Sequence, residues 1–172
     1  VAQLGEVSEK NRYALEIAAG NRLGQIVVEN DNTAAQAIEI LKKKKAGRLT
    51  FLPLNRMKSY RKNHALSRFQ NNREPGFIDK AINLITFDEV YSDVFKYVFG
   101  DTLVFSDLQS AKLSQHKNRL VTLGGELLEI SGAITGGSKL NKDLAYRFGS
   151  NNDIDNSIPI KERLSVIEEA LN

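Results

Sequence analysis

The residues best placed to do chemistry lie between Gly132 and Lys139, in the run Gly-Ala-Ile-Thr-Gly-Gly-Ser-Lys. Gly132 and Gly137 have the spacing of a phosphate-binding loop, whose backbone amides cradle the phosphates of a nucleotide. The next two residues are reversed, because such a loop needs a lysine to reach the terminal phosphates and then a hydroxyl to hold magnesium. With Ser138 ahead of Lys139, both groups stand one position out of register. The polar run 141–149 does not clearly open a long helix whose amides could hold a phosphate. Other catalytic groupings are weaker still. There is no cysteine, which excludes disulfides, thiolate metal sites and cysteine nucleophiles. The two histidines, His64 and His116, lie far apart without the i, i+4 partner of a helical zinc pair, and are expected to face solvent. No serine sits in a nucleophile elbow. Asp153 and Asp155 resemble the start of a calcium loop but lack its glycine and closing glutamate. The chain reads as a non-enzyme, with a phosphate-loop enzyme kept as the lesser alternative.

What remains is the glycine density: Gly124, Gly125, Gly132, Gly136 and Gly137. Gly124-Gly125 between apolar runs predicts a two-residue hairpin turn, where positive φ is needed and glycine supplies it cheaply. Ser131-Gly132 is a second break, and Ala133–Thr135 reads as a short strand closed by Gly136-Gly137. Strands of this kind at a sheet edge are open to pairing, and a second chain can add its own strand through main-chain hydrogen bonds. A glycine in such a seam removes the Cβ that would hold the chains apart. The competing reading is a hairpin and two turns inside one molecule.

The elements that would carry this segment read as a repeat. Residues 9–19 predict a helix with Tyr13, Ala14, Ile17 and Ala18 at helical spacing and Gly20 as its stop. A strand at 25–29 follows. The next helix, 33–45, is capped by Asp31 or Asn32 and lays Ala34, Ala37, Ile38 and Leu41 on one face, and a strand at 49–52 ends at Pro53. Residues 55–76 read as a polar loop or loosely held short helix, and 78–87 bring the chain back to the core. The order then recurs: helix 89–99 ending at Gly100, strand 102–105, a helix capped by Asp107 and running to about Gln115, strand 119–123. Ala14, Leu15, Ala18 and Gly20 match Val94, Phe95, Val98 and Gly100 at identical offsets, and Arg48-Leu49 matches Arg119-Leu120. The fold class is mixed α/β: two similar subdomains of helix-strand-helix-strand, about 1–76 and 77–157, with a glycine-rich hairpin in the second. From Pro159, Ile160, Leu164, Ile167 and Leu171 take a/d heptad spacing, so 158–172 reads as the start of a coiled coil. The pattern runs to the last residue, and the sequence is expected to be part of a longer chain.

Composition narrows the partners. The chain has 172 residues, 41% apolar and 26% charged, as a folded globular protein does. Neither a membrane-length apolar run nor a signal peptide is present in it. Its 24 basic and 21 acidic residues leave +3, which permits nucleic-acid contact without demanding it. Three clusters are candidates: Lys42, Lys43, Lys44 and Lys45 at a helix C-terminus, where positive charge also suits the helix dipole; Lys139, Lys142 and Arg147 after the glycines; and Arg56, Lys58, Arg61, Lys62, Arg68 and Arg73 in the polar loop. Binding through them would be phosphate-led and indifferent to sequence. Aromatics able to stack bases are sparse: Tyr60, Phe69, Tyr146 and Phe148.

The run from Arg119 to Ser138, Arg-Leu-Val-Thr-Leu-Gly-Gly-Glu-Leu-Leu-Glu-Ile-Ser-Gly-Ala-Ile-Thr-Gly-Gly-Ser, resembles the signature of the hinge domain of SMC (structural maintenance of chromosomes) proteins, of the bacterial type. Ala14–Gly20 followed by Ile26-Val-Val, and Thr102–Phe105 with Ala111 after it, resemble the same hinge, so the likeness covers about residues 4–149 in order. It implies two subdomains and a ring-shaped homodimer with sheets continuing across the interfaces. The positions matching the family's interface glycines are Gly124, Gly125, Gly132, Gly136 and Gly137. It also implies a role in chromosome condensation and segregation, auxiliary DNA contact near the coiled-coil junction, accessory subunits bound through other parts of the full-length protein, and a cytoplasmic, nucleoid-associated place. ATP belongs to distant head domains that this chain does not contain, so no cofactor is expected here. Two departures stand out. The family's glycine-bearing entry segment, and the incoming coiled-coil helix before it, are expected to be absent or cut at Val1, and the connection 60–76 is longer than the family's. The rival to this reading is a stand-alone monomeric nucleic-acid-binding domain using the basic loop 56–73.

Overall fold

The structure, a computed structural model, describes residues 1–60, 74–114, 117–137 and 148, with the backbone alone at 58–60. The predicted histidines, most of the basic loop, the cluster Lys139, Lys142 and Arg147, and the heptads from Ile160 lie outside the described residues.

The order of elements is β1 (Gly5–Val7), α1 (Glu9–Ala19), a 3-10 turn (Gly20–Gly24), β2 (Ile26–Val28), α2 (Asp31–Lys43), β3 (Phe51–Pro53) and α3 (Leu54–Tyr60) in the first half. The second half has β4 (Phe77–Lys80), a 3-10 turn (Ala81–Leu84), β5 (Ile85–Phe87), a further 3-10 turn (Glu89–Tyr91), α4 (Ser92–Phe99), β6 (Leu103–Phe105), α5 (Leu108–Leu113), β7 (Leu120–Thr122), β8 (Leu127–Leu128) and β9 (Ile134–Thr135).

The repeat is physical. Both α1 and α4 end on a glycine of the same conformation, φ 52° at Gly20 and 53° at Gly100. Asn30 and Asp107 each cap the next helix, their side chains accepting from Thr33 N–H and Ser110 N–H. The strands flanking that helix then pair in parallel, β2 with β3 and β6 with β7. The cap of α2 is Asn30 rather than Asp31 or Asn32, because the turn needs an extended residue whose oxygen meets the N–H three positions on. The parallel registers pair Ile26 with Phe51 and Leu103 with Leu120, so the counterpart of Leu120 is Phe51 and not Leu49. The polar stretch after β3 opens with the helix α3.

β1 and β5 precede the two repeated helices 80 residues apart and pair antiparallel, with Glu6 opposite Thr86. These are equivalent positions of the repeat, so a local two-fold axis passes between them, and the two strands share one burial pattern. Packing follows this symmetry. Ala14, Leu15, Ala18 and Ala19 of α1 enter one core with Val94, Phe95, Val98 and Phe99 of α4, together with Leu52, Val104 and Val121. The buried face of α1 is thus turned toward Leu15 and Ala19, leaving Tyr13 and Ile17 half-buried. On α2, Ile38 is 40% exposed while Ala34, Ala37 and Leu41 are buried.

The larger sheet has the order β4-β6-β7-β8-β9. Its interior strand β6 is buried on both faces: Val104 meets the α1–α4 core, and Leu103 and Phe105 meet Ala111 of α5. Among the described residues the last strand, β9, is an edge. Among the described residues, no helix is long and apolar enough to cross a membrane.

Candidate association interface

The glycine segment folds as two consecutive hairpins of one geometry. In the first, Gly125 N–H donates to Thr122 C=O at 3.0 Å and Thr122 N–H donates to Glu126 C=O at 2.9 Å. In the second, Gly132 N–H donates to Glu129 C=O at 2.9 Å and Glu129 N–H donates to Ala133 C=O at 2.8 Å. Each connection therefore has three residues, with a glycine of positive φ at its end: φ 91° at Gly125 and 90° at Gly132. This replaces the two-residue turn expected at Gly124-Gly125. A three-residue loop needs the left-handed conformation only at its last position, so Gly124 is not among the positive-φ residues.

The five glycines do different things. A Cβ on Gly125 would stand 2.3 Å from Tyr13 Cε1, so α1 sits directly on this turn. A Cβ on Gly124 would meet Glu126 Oε2 at 2.7 Å, and one on Gly136 would meet Glu126 Cγ at 3.1 Å, so these two make room for that glutamate. Glu126 is held by Thr122, whose Oγ1 donates to Oε2 and accepts from the Glu126 N–H. Among the described residues nothing stands within 4 Å of where a Cβ would be on Gly132 or Gly137.

Openness at Gly137 belongs to the whole edge. Every residue from Ile130 to Gly137 is exposed, including Ile130 at 72% and Ile134 at 55%. Among the described residues β9 pairs with β8 alone, Leu127 opposite Thr135 and Leu128 opposite Ile134. Hydrogen-bonded pairs alternate along an antiparallel ladder. Since Glu129 and Ala133 are bonded, the next bonded pair is Leu127 with Thr135. The backbone N–H and C=O of Ile134, and of Gly136 beyond it, then point outward, away from β8. Among the described residues this is an unpaired ladder with an exposed apolar side chain, the arrangement that accepts another strand. The same path rules out the phosphate-loop shape over residues 132–137, which run as a turn and an edge strand.

The described basic residues are less concentrated than the sequence suggested. Lys42 Nζ is paired with Glu39 at 2.9 Å, and that pairing holds the Glu39 carboxyl below the usual carboxylate range. Lys43, Lys44 and Lys45 are exposed around the end of α2. Arg56 belongs to α3, and its Nε donates to Asp31 Oδ2 at 2.7 Å. The Asn55 amide and then the Arg56 guanidinium lower the Asp31 pKa. Phe148, a candidate for base stacking, is 2% exposed: its ring lies in the α1–α4 core and its N–H donates to the buried Glu16 Oε1 at 3.0 Å. Nothing in the pattern around Phe148 marked it as core, because the return to α1 is a contact across more than a hundred residues.

Residues 1–114 match the family model described as SMC proteins Flexible Hinge Domain. The chain is 46% identical over 171 residues to the Chromosome partition protein Smc of Synechocystis sp., covering 98% of this chain and 14% of that protein. It therefore spans a small part of the length of such relatives. The fold is similar to an asymmetric dimer of the Geobacillus stearothermophilus SMC hinge domain, with a TM-score of 0.72 and 29% identity, covering 99% of this chain and 68% of that one. It is also similar to the Pyrococcus furiosus SMC protein hinge domain, with a TM-score of 0.63 and 35% identity over 88% of this chain and 78% of that one.

Proposed function

This chain belongs to the family of SMC flexible hinge domains, and from that premise we propose that it is the self-association module of a chromosome-organising SMC protein. Two copies join as a homodimer, with the edge strand β9 receiving a strand of the partner. The observation that carries this is the outward ladder at Ile134 and Gly136 on a strand whose residues are all exposed. The Geobacillus relative, whose fold this chain shares, is a dimer. Gly132 and Gly137, with no described residue where a side chain would stand, are the glycines that leave a partner's backbone room. Gly124, Gly125 and Gly136 support the edge from within the chain and present it. The division into subdomains at about 1–76 and 77–157, with 158–172 opening a coiled coil, completes this reading. So do chromosome condensation and segregation in the cytoplasm as the wider role, and accessory subunits held elsewhere in the full-length protein.

The test uses Ile134→Pro. Proline removes the outward N–H and adds bulk at an edge position, where it costs no bond to β8. The wild type is expected to be a dimer by light scattering at tens of micromolar. The variant is expected to be a folded monomer at the same concentration, its dissociation constant raised at least ~tenfold by the loss of paired backbone groups. A monomeric wild type would overturn the proposal.

Sequence-independent DNA contact is the second part of the reading, carried by the exposed Lys43, Lys44 and Lys45, with Lys42, Lys139, Lys142 and Arg147 as further candidates. Replacing Lys43, Lys44 and Lys45 together by alanine is expected to lower the slope of log K against log salt by ~2–3 in an anisotropy titration with duplex DNA, about one for each phosphate that a lysine no longer neutralises. An unchanged slope would move the contact to the residues after Gly137. The rival, a monomeric domain that binds through 56–73, predicts a slope unaffected by the lysines and a wild-type monomer.

A further inference from the structure

Arg119 stands just before β7, and its carbonyl accepts from Leu103 N–H at 2.9 Å, so the parallel ladder fixes its backbone. Its guanidinium reaches two ways. Nε donates to Glu129 Oε1 at 3.0 Å, and Nη1 donates to the carbonyl of Ala18. That carbonyl lies in the last turn of α1, where acceptors lose their helical partners. The equivalent carbonyl of the repeat, Val98 of α4, accepts from Arg22 Nη1 at 2.8 Å, and the Arg22 guanidinium lies 5.2 Å from the centre of the Tyr97 ring. Each repeated helix is thus capped by an arginine from the other half.

Only Arg119 has a second attachment on the edge. Glu129 is the first residue of the turn that leads to β9, and both its N–H and C=O close that turn. Beyond it the chain is exposed to Gly137. A planar fork with several donors can hold a carboxylate and a carbonyl at once, whereas an ammonium is a single point charge.

We propose that Arg119 is a positioning residue for association: it ties the turn carrying β9 to the end of α1, so that the edge meets its partner already oriented. The proposal rests on the dimer reading above. A hairpin free to swing would have to be ordered when a partner strand adds, and that ordering is subtracted from the association free energy. The link also makes the orientation of the edge depend on the first half of the chain.

The experiment is sedimentation equilibrium on the wild type, Arg119→Lys, Glu129→Ala and the double variant, with amide hydrogen exchange of β6 as the check of the fold. Each single variant is expected to raise the dimer dissociation constant about tenfold. The double variant is expected to go no further, since both changes cut one link, while β6 stays protected. Variants that associate like the wild type, effects that add, or a loss with Arg119→Lys that Glu129→Ala does not share would each overturn the positioning role and leave the dimer standing. A wild-type monomer would overturn both.

Discussion

Phe95→Ala is expected to lower the stability of the chain by about 4 kcal/mol, the range for emptying a fully buried aromatic site. Phe95 is completely buried. Its ring is stacked on Phe87 at 4.5 Å between centroids and on Phe99 at 6.3 Å. With Ile85 it fills the space a side chain at Gly5 would take, its Cζ 2.9 Å from a Cβ there. Gly5 and Phe87 are partners in the β1–β5 ladder, so the ring packs where the two halves join. The cavity left by alanine cannot close by the movement of one element alone, because strands and helices of both halves line it. Denaturant unfolding of the purified chain measures the loss, and the melting temperature should fall by ~10 °C. A single transition in the variant and the wild type would show the two halves unfolding as one unit. A loss below ~1 kcal/mol would mean that the halves do not share this core.

The second large effect is expected at the turns, where two glycines of nearly the same φ have different surroundings. Gly132→Ala should cost ~1–2 kcal/mol, the strain of a side chain in the left-handed region. Gly125→Ala should cost about 3 kcal/mol, because the new Cβ must also displace Tyr13, whose ring atoms lie within 2.3–3.1 Å of it. The difference between the two, read in the same denaturation experiment, isolates the contact between α1 and the first turn. Equal losses would mean that Tyr13 yields freely. The same crowding makes bulky replacement of all the glycines together a poor probe of association. Changes at Gly124, Gly125 and Gly136 press on Glu126 and Tyr13 within the chain, and would perturb the fold along with the edge. Ile134→Pro acts on the outward groups alone.

Much of the architecture was legible because its signals are local. Helix 9–19 could be read from apolar spacing and the glycine that ends it, and it is observed over those residues. Asp107 was legible as a cap because a carboxylate placed before an apolar run has an N–H to accept from three residues on. The repeat was legible because Gly20 and Gly100 punctuate matching helices. The strand before α3 begins two residues and ends one residue later than expected, since a short apolar run fixes a strand's existence better than its limits.

The sequence by itself determined the elements, their repetition, and a glycine-marked hairpin next to an open strand, since propensity, period and turn chemistry act over a few residues. Only the tertiary structure decided the rest. Register decided that Gly125 and Gly132 are turn residues, that Gly124 and Gly136 accommodate Glu126, and that Ile134 carries the outward ladder. Packing across the chain decided that Phe148 is core, and that Arg119 joins Ala18 to Glu129. These are contacts between residues far apart in sequence, and no local pattern encodes them, because which side chains meet depends on how whole elements pack after they have formed.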